Sequence, residues 1–291
     1  VFTPCLSGRK QLIDYTKKFD AFILGSDQVW NPMLLGGDYY TLTWVDSRRP
    51  KVTYASSFGV SEIPANQVKK TKEYLSRFDM ISVREKQGAE IVEKLTGKKA
   101  EVCCDPTVLT ERKRWDELSG DCPFVSEKYI FCYFIGNNPS QREFAKKLAQ
   151  KTGCKILAVK HIDEYIKSDD DFGDIDYLEV GPKEFVNFIR YAKYVCTDSF
   201  HGTIFSIMYN KNFFTFKRFS DSQKSSMNSR VKNILSIVGL SNRLFENSIT
   251  PEAALTYQVD WSDVNKRLKD FRKSSREYFE RAIKCLKGAQ E

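Results

Sequence analysis

Short apolar runs alternate with helical patterns along most of this chain, and this alternation constrains the fold more than any other feature. Apolar runs that predict strands occupy residues 21–25, 51–55, 80–84 and 101–104. Patterns with helical spacing occupy residues 68–78 and 86–95. Strands that take turns with helices pair in parallel, and the helices cover the sheet. The first part of the chain therefore predicts an α/β domain.

A second alternation begins after a break. Residues 110–122 are charged and contain turn formers, which predicts a linker. Ser140 and Glu143 are spaced as a capping box at the start of a helix. The predicted strands of this part are residues 128–134, 155–159, 194–198 and 213–217, and its predicted helices are 140–150, 183–192, 202–209 and 230–238. An apolar stripe over residues 262–287 predicts a terminal helix.

Together these patterns predict an α/β protein with two Rossmann-like doubly wound domains, residues 1–118 and 119–259. We expect the terminal helix, residues 260–291, to pack back on the first domain and complete it. The 291 residues, of which 41% are hydrophobic, are enough for two cores.

Composition excludes several classes of function. None of the eight cysteines forms a C-x-x-C pair, and the two histidines are not spaced with cysteines, so no metal site is predicted. The sequence has no Walker P-loop and no basic and aromatic surface for nucleic acid. No uncharged run reaches the roughly 18 residues of a membrane span. Apolar surroundings of several cysteines indicate free thiols and a cytoplasmic location.

Polar residues follow two strands of the first predicted domain. Ligands of such sheets bind beyond the carboxyl ends of the strands. Ser26 and Asp27 follow the run at 21–25, and Arg84 ends the run at 80–84, beside a predicted helix start. An arginine there suits a bidentate grip on a carboxylate or phosphate. The sequence leaves two alternatives open, a capped turn at Asp27 and a structural ion pair at Arg84.

The third strand exit contains His201. It follows the run at 194–198 and opens an apolar helix, a position that suits a general acid or base. Ser199, Gly202 and Thr203 can present hydroxyl and backbone N–H donors to an anion, so we predict that they bind substrate. A histidine in a hydrogen-bonded structural niche is the alternative.

The fourth strand exit is basic. Lys217 ends the run at 213–217, Arg218 follows it directly, and Arg230 opens the helix at 230–238. Together with the net charge of +8, these cations predict a pocket for an anionic substrate close to the histidine. The alternative is a flexible, solvated loop over residues 220–229.

The strand exits also resemble the polysaccharide pyruvyl transferase family, in the branch common in capsule and exopolysaccharide gene clusters. The matching segments, in chain order, are residues 20–32 (DAFILGSDQVWNP), 54–59 (YASSFG), 82–85 (SVRE), 105–107 (DPT), 197–202 (TDSFHG) and 230–243 (RVKNILSIVGLSNR). They span most of the chain, and as a set they are specific for the family.

The resemblance implies a fold like that of GT-B glycosyltransferases, with two domains facing across a cleft that holds the active site. It implies phosphoenolpyruvate as donor, with no cofactor, and a pair of sugar hydroxyls as acceptor, giving a cyclic pyruvate ketal. His201 matches the catalytic histidine of the family, Arg84 matches a donor-binding arginine, and Lys217 matches a donor-binding lysine. We expect Asp27 to orient the acceptor.

Two features depart from the family pattern. Many relatives carry arginine and leucine where this chain has Ser199 and Phe200, so a donor-binding arginine is missing. Either Arg218 or Arg230 replaces it, or the donor differs. Relatives also begin with a strand and a loop bearing glycine and asparagine, which does not precede Val1 here. If that segment was removed, part of the site is absent.

Two other functions fit the same residues. A GT-B-type glycosyltransferase would use Arg84 and Lys217 to hold the diphosphate of a nucleotide sugar, with His201 as the base. A non-catalytic protein of a polysaccharide assembly complex would bind an anion only. For the transferase we expect a sugar or lipid-linked oligosaccharide as acceptor, no nucleic acid, and peripheral association with the inner face of the cytoplasmic membrane.

Overall fold

A computed structural model describes residues 4–35, 38–161, 164–177, 179–219, 228–246 and 248–288. The chain divides into two compact units. Unit 1 consists of Val1–Leu109, Ser222–Ser229 and Asp270–Glu291, and unit 2 consists of Thr110–Asp221 and Arg230–Lys269. This division falls before the sequence-based boundary at 118/119.

The described residues of unit 1 form four short parallel strands. They are β1 (Phe22–Leu24), β2 (Lys51–Thr53), β3 (Ser82–Val83) and β4 (Glu101–Val102), and the helices among them are α1 (Gly8–Thr16), α2 (Val68–Ser76), α3 (Lys86–Thr96) and α4 (Pro106–Leu109). β1 pairs with β2 and β3 pairs with β4. Parallel bridges from Val52 to Met80 and from Ser56 to Val83 continue the pairing between β2 and β3. The four strands predicted for this region are confirmed.

The core of unit 1 is built around Trp30, which is completely buried. Its ring packs against Phe58, Tyr74 and Phe78, with ring centres 5.1 to 5.8 Å apart. Its indole N–H donates to the carbonyl of Tyr40, so the polar atom of this large side chain is satisfied. The segment after β1 is thereby anchored to α2.

Unit 2 contains a six-stranded parallel sheet in the order β10-β9-β8-β5-β6-β7. Its strands are β5 (Tyr129–Tyr133), β6 (Lys155–Val159), β7 (Ile175–Tyr177), β8 (Tyr194–Thr197), β9 (Asn212–Phe216) and β10 (Leu244–Phe245). The remaining helices are α5 (Arg112–Ser119), α6 (Pro139–Thr152), α7 (Pro182–Tyr191), α8 (Phe200–Met208), α9 (Ser229–Ile237), α10 (Pro251–Leu255) and α11 (Trp261–Gly288). The strands β7 and β10 were not predicted, because charged and polar residues surround both and no apolar run is visible there.

The predicted linker at residues 110–122 is wrong, since α5 occupies most of it. The ring of Trp115 packs edge-on against Phe205 at 5.0 Å, and Asp116 accepts a hydrogen bond from the Tyr209 hydroxyl at 3.0 Å. Only one face of this helix packs against the rest of unit 2, so most of its residues are charged. The sequence therefore shows too few apolar residues to indicate a helix.

Two helix starts also differ from prediction. The side chain of Asn138, not Ser140, caps α6, by accepting a hydrogen bond from the Ser140 amide at 3.0 Å. Helix α8 begins at Phe200, with Ser199 as its cap, so His201 lies inside the first turn. The predicted start at residue 202 was too late.

The terminal helix α11 packs on unit 1 through its second half, as predicted. Tyr278 is buried and donates a hydrogen bond to the Thr53 carbonyl at 2.8 Å. The hydroxyl of Ser275 accepts from the Cys104 amide at 2.8 Å. These bonds tie α11 to the ends of β2 and β4, and the helix therefore completes this unit.

Candidate functional site

The exit of β1 is a tight turn that only glycine permits. A Cβ on Gly25 would lie 2.0 Å from the carbonyl oxygen of Tyr54, and the residue has φ of +147°. The hydroxyl of Ser26 donates to the carbonyl of Ala55. Asp27 has a left-handed φ of 61°. The turn therefore holds the predicted residues Ser26 and Asp27 in a defined position beside the exit of β2.

Arg84, at the exit of β3, is engaged by two carboxylates. Its guanidinium contacts Asp105 and Asp27, each at 2.7 Å. The side chains of Arg84 and Asp105 are 2% and 4% exposed, whereas that of Asp27 is 57% exposed. Burial by itself would lower the pKa of Arg84, but the neighbouring carboxylates outweigh it and raise the pKa. Asp27 is thus the solvent-facing end of a largely buried ion-pair cluster.

Further hydrogen bonds explain the motifs around this cluster. Asp105 accepts from the amide and hydroxyl of Thr107 at 2.9 and 2.7 Å. Glu85 is buried and accepts from the Ser57 hydroxyl at 2.9 Å and the Phe58 amide at 3.1 Å. The structural ion pair left open by the sequence is thus present at Arg84. A role of this arginine in donor binding stays a prediction.

The sheet of unit 2 has a topological switch point between β5 and β8. From β5 the chain builds outward through β6 and β7, and from β8 it builds in the other direction through β9 and β10. Ligands of doubly wound sheets bind outside the carboxyl ends of the strands at such a point. The residues that leave β5 and β8 here are Ile135, Gly136, Asp198 and Ser199.

Asp198 joins the two strand exits at the switch point. Its buried carboxylate accepts hydrogen bonds from the amides of Ile135 and Gly136 at 2.7 and 2.9 Å. The Arg218 guanidinium donates to the Asp198 carbonyl at 3.2 Å and lies 3.8 Å from its carboxylate. A Cβ on Gly136 would lie 2.8 Å from that carboxylate, so glycine allows the close approach. Sequence reasoning had placed Arg218 at the site but had not assigned a role to Asp198.

His201 lies in the first turn of α8, half-buried, with its ring edge-on to Phe200 at 5.4 Å. The Ser199 hydroxyl accepts from the Gly202 amide at 3.3 Å, and the Thr203 hydroxyl donates to the Ser199 carbonyl at 2.8 Å. A Cβ on Gly202 would lie 2.5 Å from the Thr197 hydroxyl. Ser199, Gly202 and Thr203 therefore build the start of the helix, and their role in substrate binding stays a prediction.

Two of the other predicted cations have clear surroundings in unit 2. The ammonium of Lys217 pairs with Glu246, and both residues follow the ends of β9 and of the edge strand β10. The guanidinium of Arg230 lies 5.7 Å from the ring centre of Phe200, next to His201 in sequence. Residues 220–227, which make up most of the predicted basic loop, lie outside the described residues.

Sequence reasoning missed a second polar group close to the switch point. It consists of His161, Asp169 and Arg142, and Arg142 donates to the Gly136 carbonyl at 2.9 Å. The only signal for it was the position of His161 shortly after β6, which resembled an ordinary loop residue. Arg142 is inside a helix, where an arginine gives no hint of burial.

Neither a metal centre nor a membrane span is found in the part of the chain that the structure describes. No group of three or more His, Cys, Asp or Glu side chains there is arranged to hold a metal ion. No helix there is long and apolar enough to cross a bilayer.

A doubly wound parallel sheet and a second α/β unit define a Rossmann-like protein of the GT-B type. Solved structures agree. A protein assigned as a UDP-N-acetylglucosamine 2-epimerase from Listeria monocytogenes is similar, with a TM-score of 0.57 at 10% identity, over 91% of this chain and 72% of that one. The UDP-GlcNAc 2-epimerase from Methanocaldococcus jannaschii is also similar, with a TM-score of 0.51 at 10% identity, over 90% and 73% of the two chains. At such low identity the likeness shows the fold alone.

The family is given by the sequence match. A model of the polysaccharide pyruvyl transferase family matches residues 3–218, and the chain belongs to this family. No curated protein sequence matches the chain significantly. Membership implies a transferase that acts in polysaccharide modification, and the match includes the strand exits that carry Asp27, Arg84 and His201.

Proposed function

We propose that this protein transfers a pyruvyl group from phosphoenolpyruvate to two hydroxyls of a sugar, forming a pyruvate ketal. The observation that carries the proposal is the position of His201. In a chain of the pyruvyl transferase family, this histidine lies in the first turn of a helix that follows β8 at the switch point. That is where a doubly wound sheet binds ligands.

The charges of unit 2 support an anionic donor. Phosphoenolpyruvate carries about three negative charges, which a site must offset with preorganised donors. Arg218 and Arg230 lie at or beside the switch-point residues, and the helix dipole of α8 adds partial positive charge at its start. Lys217 is a weaker candidate, because Glu246 already neutralises its ammonium.

The reaction assigns His201 a proton-transfer role. One acceptor hydroxyl adds to C2 of the donor as the methylene carbon takes up a proton. The second hydroxyl then displaces phosphate from C2 as the C–O bond to phosphate breaks. Of the two hydroxyl protons, one is retained in the new methyl group and the other leaves with phosphate. His201 is the acid, the base, or both in turn.

Asp27 is the candidate for orienting the acceptor. A sugar hydroxyl donates well to a carboxylate, and Asp27 offers one that is exposed and held by Arg84. The acceptor belongs to the class of sugars and lipid-linked oligosaccharides used in surface polysaccharide synthesis. Association with the inner face of the cytoplasmic membrane is part of this proposal, since such acceptors reside there.

Calorimetry and phosphate release test the proposal. We expect phosphoenolpyruvate to bind and UDP- and GDP-sugars not to bind. With a panel of sugar acceptors, ³¹P NMR should show conversion of the phosphoenolpyruvate resonance to inorganic phosphate, and His201→Ala should not show it. Tight binding of a nucleotide sugar without binding of phosphoenolpyruvate would instead identify a glycosyltransferase. Binding of phosphoenolpyruvate without turnover on any acceptor would favour an anion-binding protein.

A further inference from the structure

Both ring nitrogens of His161 contact groups that can only accept hydrogen bonds. Nδ1 lies 2.7 Å from a carboxylate oxygen of Asp169, and Nε2 lies 3.2 Å from the Ile135 carbonyl oxygen. A neutral imidazole carries one N–H and can satisfy only one of them, whereas an imidazolium donates to both. The side chain is 10% exposed, so water replaces neither partner easily. The geometry therefore fits the charged form of His161.

The same carboxylate of Asp169 connects His161 to a buried arginine. Arg142 contacts Asp169 at 2.6 Å and donates to the carbonyls of Gly136 and Asn138 at 2.9 and 3.3 Å. The carbonyls of the loop between β5 and α6 thus receive hydrogen bonds from His161 and from Arg142, which Asp169 holds together. This loop, residues 134–138, is held from one side by a charged network.

On its other side, the loop holds the switch-point aspartate. Its Ile135 and Gly136 amides donate to the Asp198 carboxylate, and the Arg218 guanidinium lies 3.8 Å from that carboxylate and donates to the Asp198 backbone carbonyl. A displacement of the loop would therefore move both amides away from the carboxylate. The chain of contacts runs from His161 to a cation at the exits of the central strands, entirely within unit 2.

We propose that the His161 imidazolium is a positioning residue, which fixes the 134–138 loop and, through Asp198, the guanidinium of Arg218. Loss of the proton removes one of the two hydrogen bonds of the ring. The loop is then released on the Ile135 side, and the Asp198 carboxylate that faces Arg218 loses its fixed position. The consequence for donor binding rests on the proposed function, whereas the positioning itself does not.

The charges around His161 favour the protonated form. Burial would lower its pKa, but the hydrogen bonds to Asp169 and Ile135 outweigh burial and raise it, against a smaller opposing effect of Arg142. The pKa of Asp169 is lowered, because the hydrogen bonds from His161 and Arg142 outweigh its burial. Among the described residues, Asp169 and Arg142 are the charged side chains that act on the imidazole. The 134–138 loop should therefore be held by His161 at acidic pH and released as pH rises through the pKa of His161.

NMR on the full chain tests the positioning directly. Histidine ring ¹⁵N shifts should show His161 protonated on both nitrogens at pH 5, and the Ile135 and Gly136 amides and the Arg218 Nε–H should shift with the same midpoint. His161→Gln does not titrate, and it has one nitrogen in place of the two ring nitrogens that face the two acceptors, so it should show the high-pH positions at every pH. The matched control Lys167→Gln removes a nearby exposed charge and should retain the titration. If the resonances of the loop amides and of Arg218 do not shift with the titration midpoint of His161 in the native chain, the proposal is wrong.

Calorimetry with phosphoenolpyruvate separates this inference from the proposed function. If Arg218 is a donor ligand, His161→Gln should weaken binding at pH 6 about tenfold, the loss expected for one charged hydrogen bond, and have little effect at pH 9. Should the native chain bind no phosphoenolpyruvate at any pH while the amides and Arg218 still titrate with His161, the proposed function fails and the positioning role stands. Equal binding by native and variant chains would contradict the link to Arg218.

Discussion

The two units carry polar strand exits of opposite electrostatic character. In unit 1, Arg84 lies between Asp27 and Asp105, and Glu85 follows it in sequence, so three carboxylates meet one guanidinium among these four described residues. In unit 2, the switch point has one buried carboxylate, Asp198, which two backbone amides already satisfy. The guanidinium of Arg218 lies beside this carboxylate, and the start of α8 contributes further partial positive charge.

Under the proposed function, this difference suits the two exits to different substrates. A site whose carboxylates exceed its cations repels an anion but suits the hydroxyls of a sugar, which donate to Asp27. A site with amides, a helix start and guanidinium groups attracts phosphate and carboxylate. The same type of fold element can therefore serve donor or acceptor, depending on which charges follow the strand.

The largest effect should come from His201→Ala. We expect the rate of phosphate release to fall about 100- to 10,000-fold, the usual contribution of a general acid or base. The ring is half-buried and at a helix start, so the melting temperature should change little. A phosphate-release assay with thermal unfolding as the control measures both. Full activity in this variant would remove the catalytic assignment.

In unit 1, Arg84→Ala should mainly affect stability. It leaves the buried carboxylate of Asp105 without its cation, which costs about 3–5 kcal/mol of unfolding free energy. Arg48→Ala is the matched control, because Arg48 pairs with Asp46 on the surface, where water solvates both charges, and its loss should change the unfolding free energy little. Urea unfolding measures both. Equal losses would mean that the buried cluster is not what holds the β3 exit in place.

A pair of cap variants tests the predicted binding role of Ser199. Ser199→Ala and Asn138→Ala each remove a helix cap, and each should lower the unfolding free energy by about 1 kcal/mol. If the Ser199 hydroxyl also donates a hydrogen bond to phosphoenolpyruvate, only Ser199→Ala should weaken the binding of this substrate, by about tenfold. Unchanged affinity in both would restrict Ser199 to capping.

The smallest effect should be the pH-dependent stabilisation by His161. Its pKa in the folded chain is raised above the unfolded value of about 6.5, so the stabilisation is complete below that pH and disappears as pH rises through the folded pKa. The free energy of unfolding of the native chain should exceed that of His161→Gln by about 1 kcal/mol at pH 5 and by less at pH 9. Urea unfolding at the two values measures the difference. A larger difference at pH 9 would reverse the sign and contradict the protonated form.

Sequence reasoning was most successful where an apolar run was long enough to show its period. It predicted β5, β6, β8 and β9, and also α11 with its stripe, because each buries enough side chains to leave a pattern. It missed β10, which polar and charged residues flank on both sides, and it mistook α5 for a linker, because charge hid its single apolar face.

For the candidate site, the sequence predicted the strand exits but not the contacts. Asp27, Arg84 and His201 were found because each lies at the end of an apolar run or within three residues after it. No spacing in the sequence brings Arg84 to Asp105, which are 21 residues apart, since that contact depends on the pairing of β3 with β4.

The sequence by itself determined the α/β class, the family and the residue types at the strand exits, because all three depend on local pattern and on which side chains follow each strand. Tertiary structure decided the charge balance at each exit and the switch point between β5 and β8. It also decided the double hydrogen bonding of His161. Those features arise from residues distant in sequence, and only strand order and close packing bring their atoms within hydrogen-bonding distance.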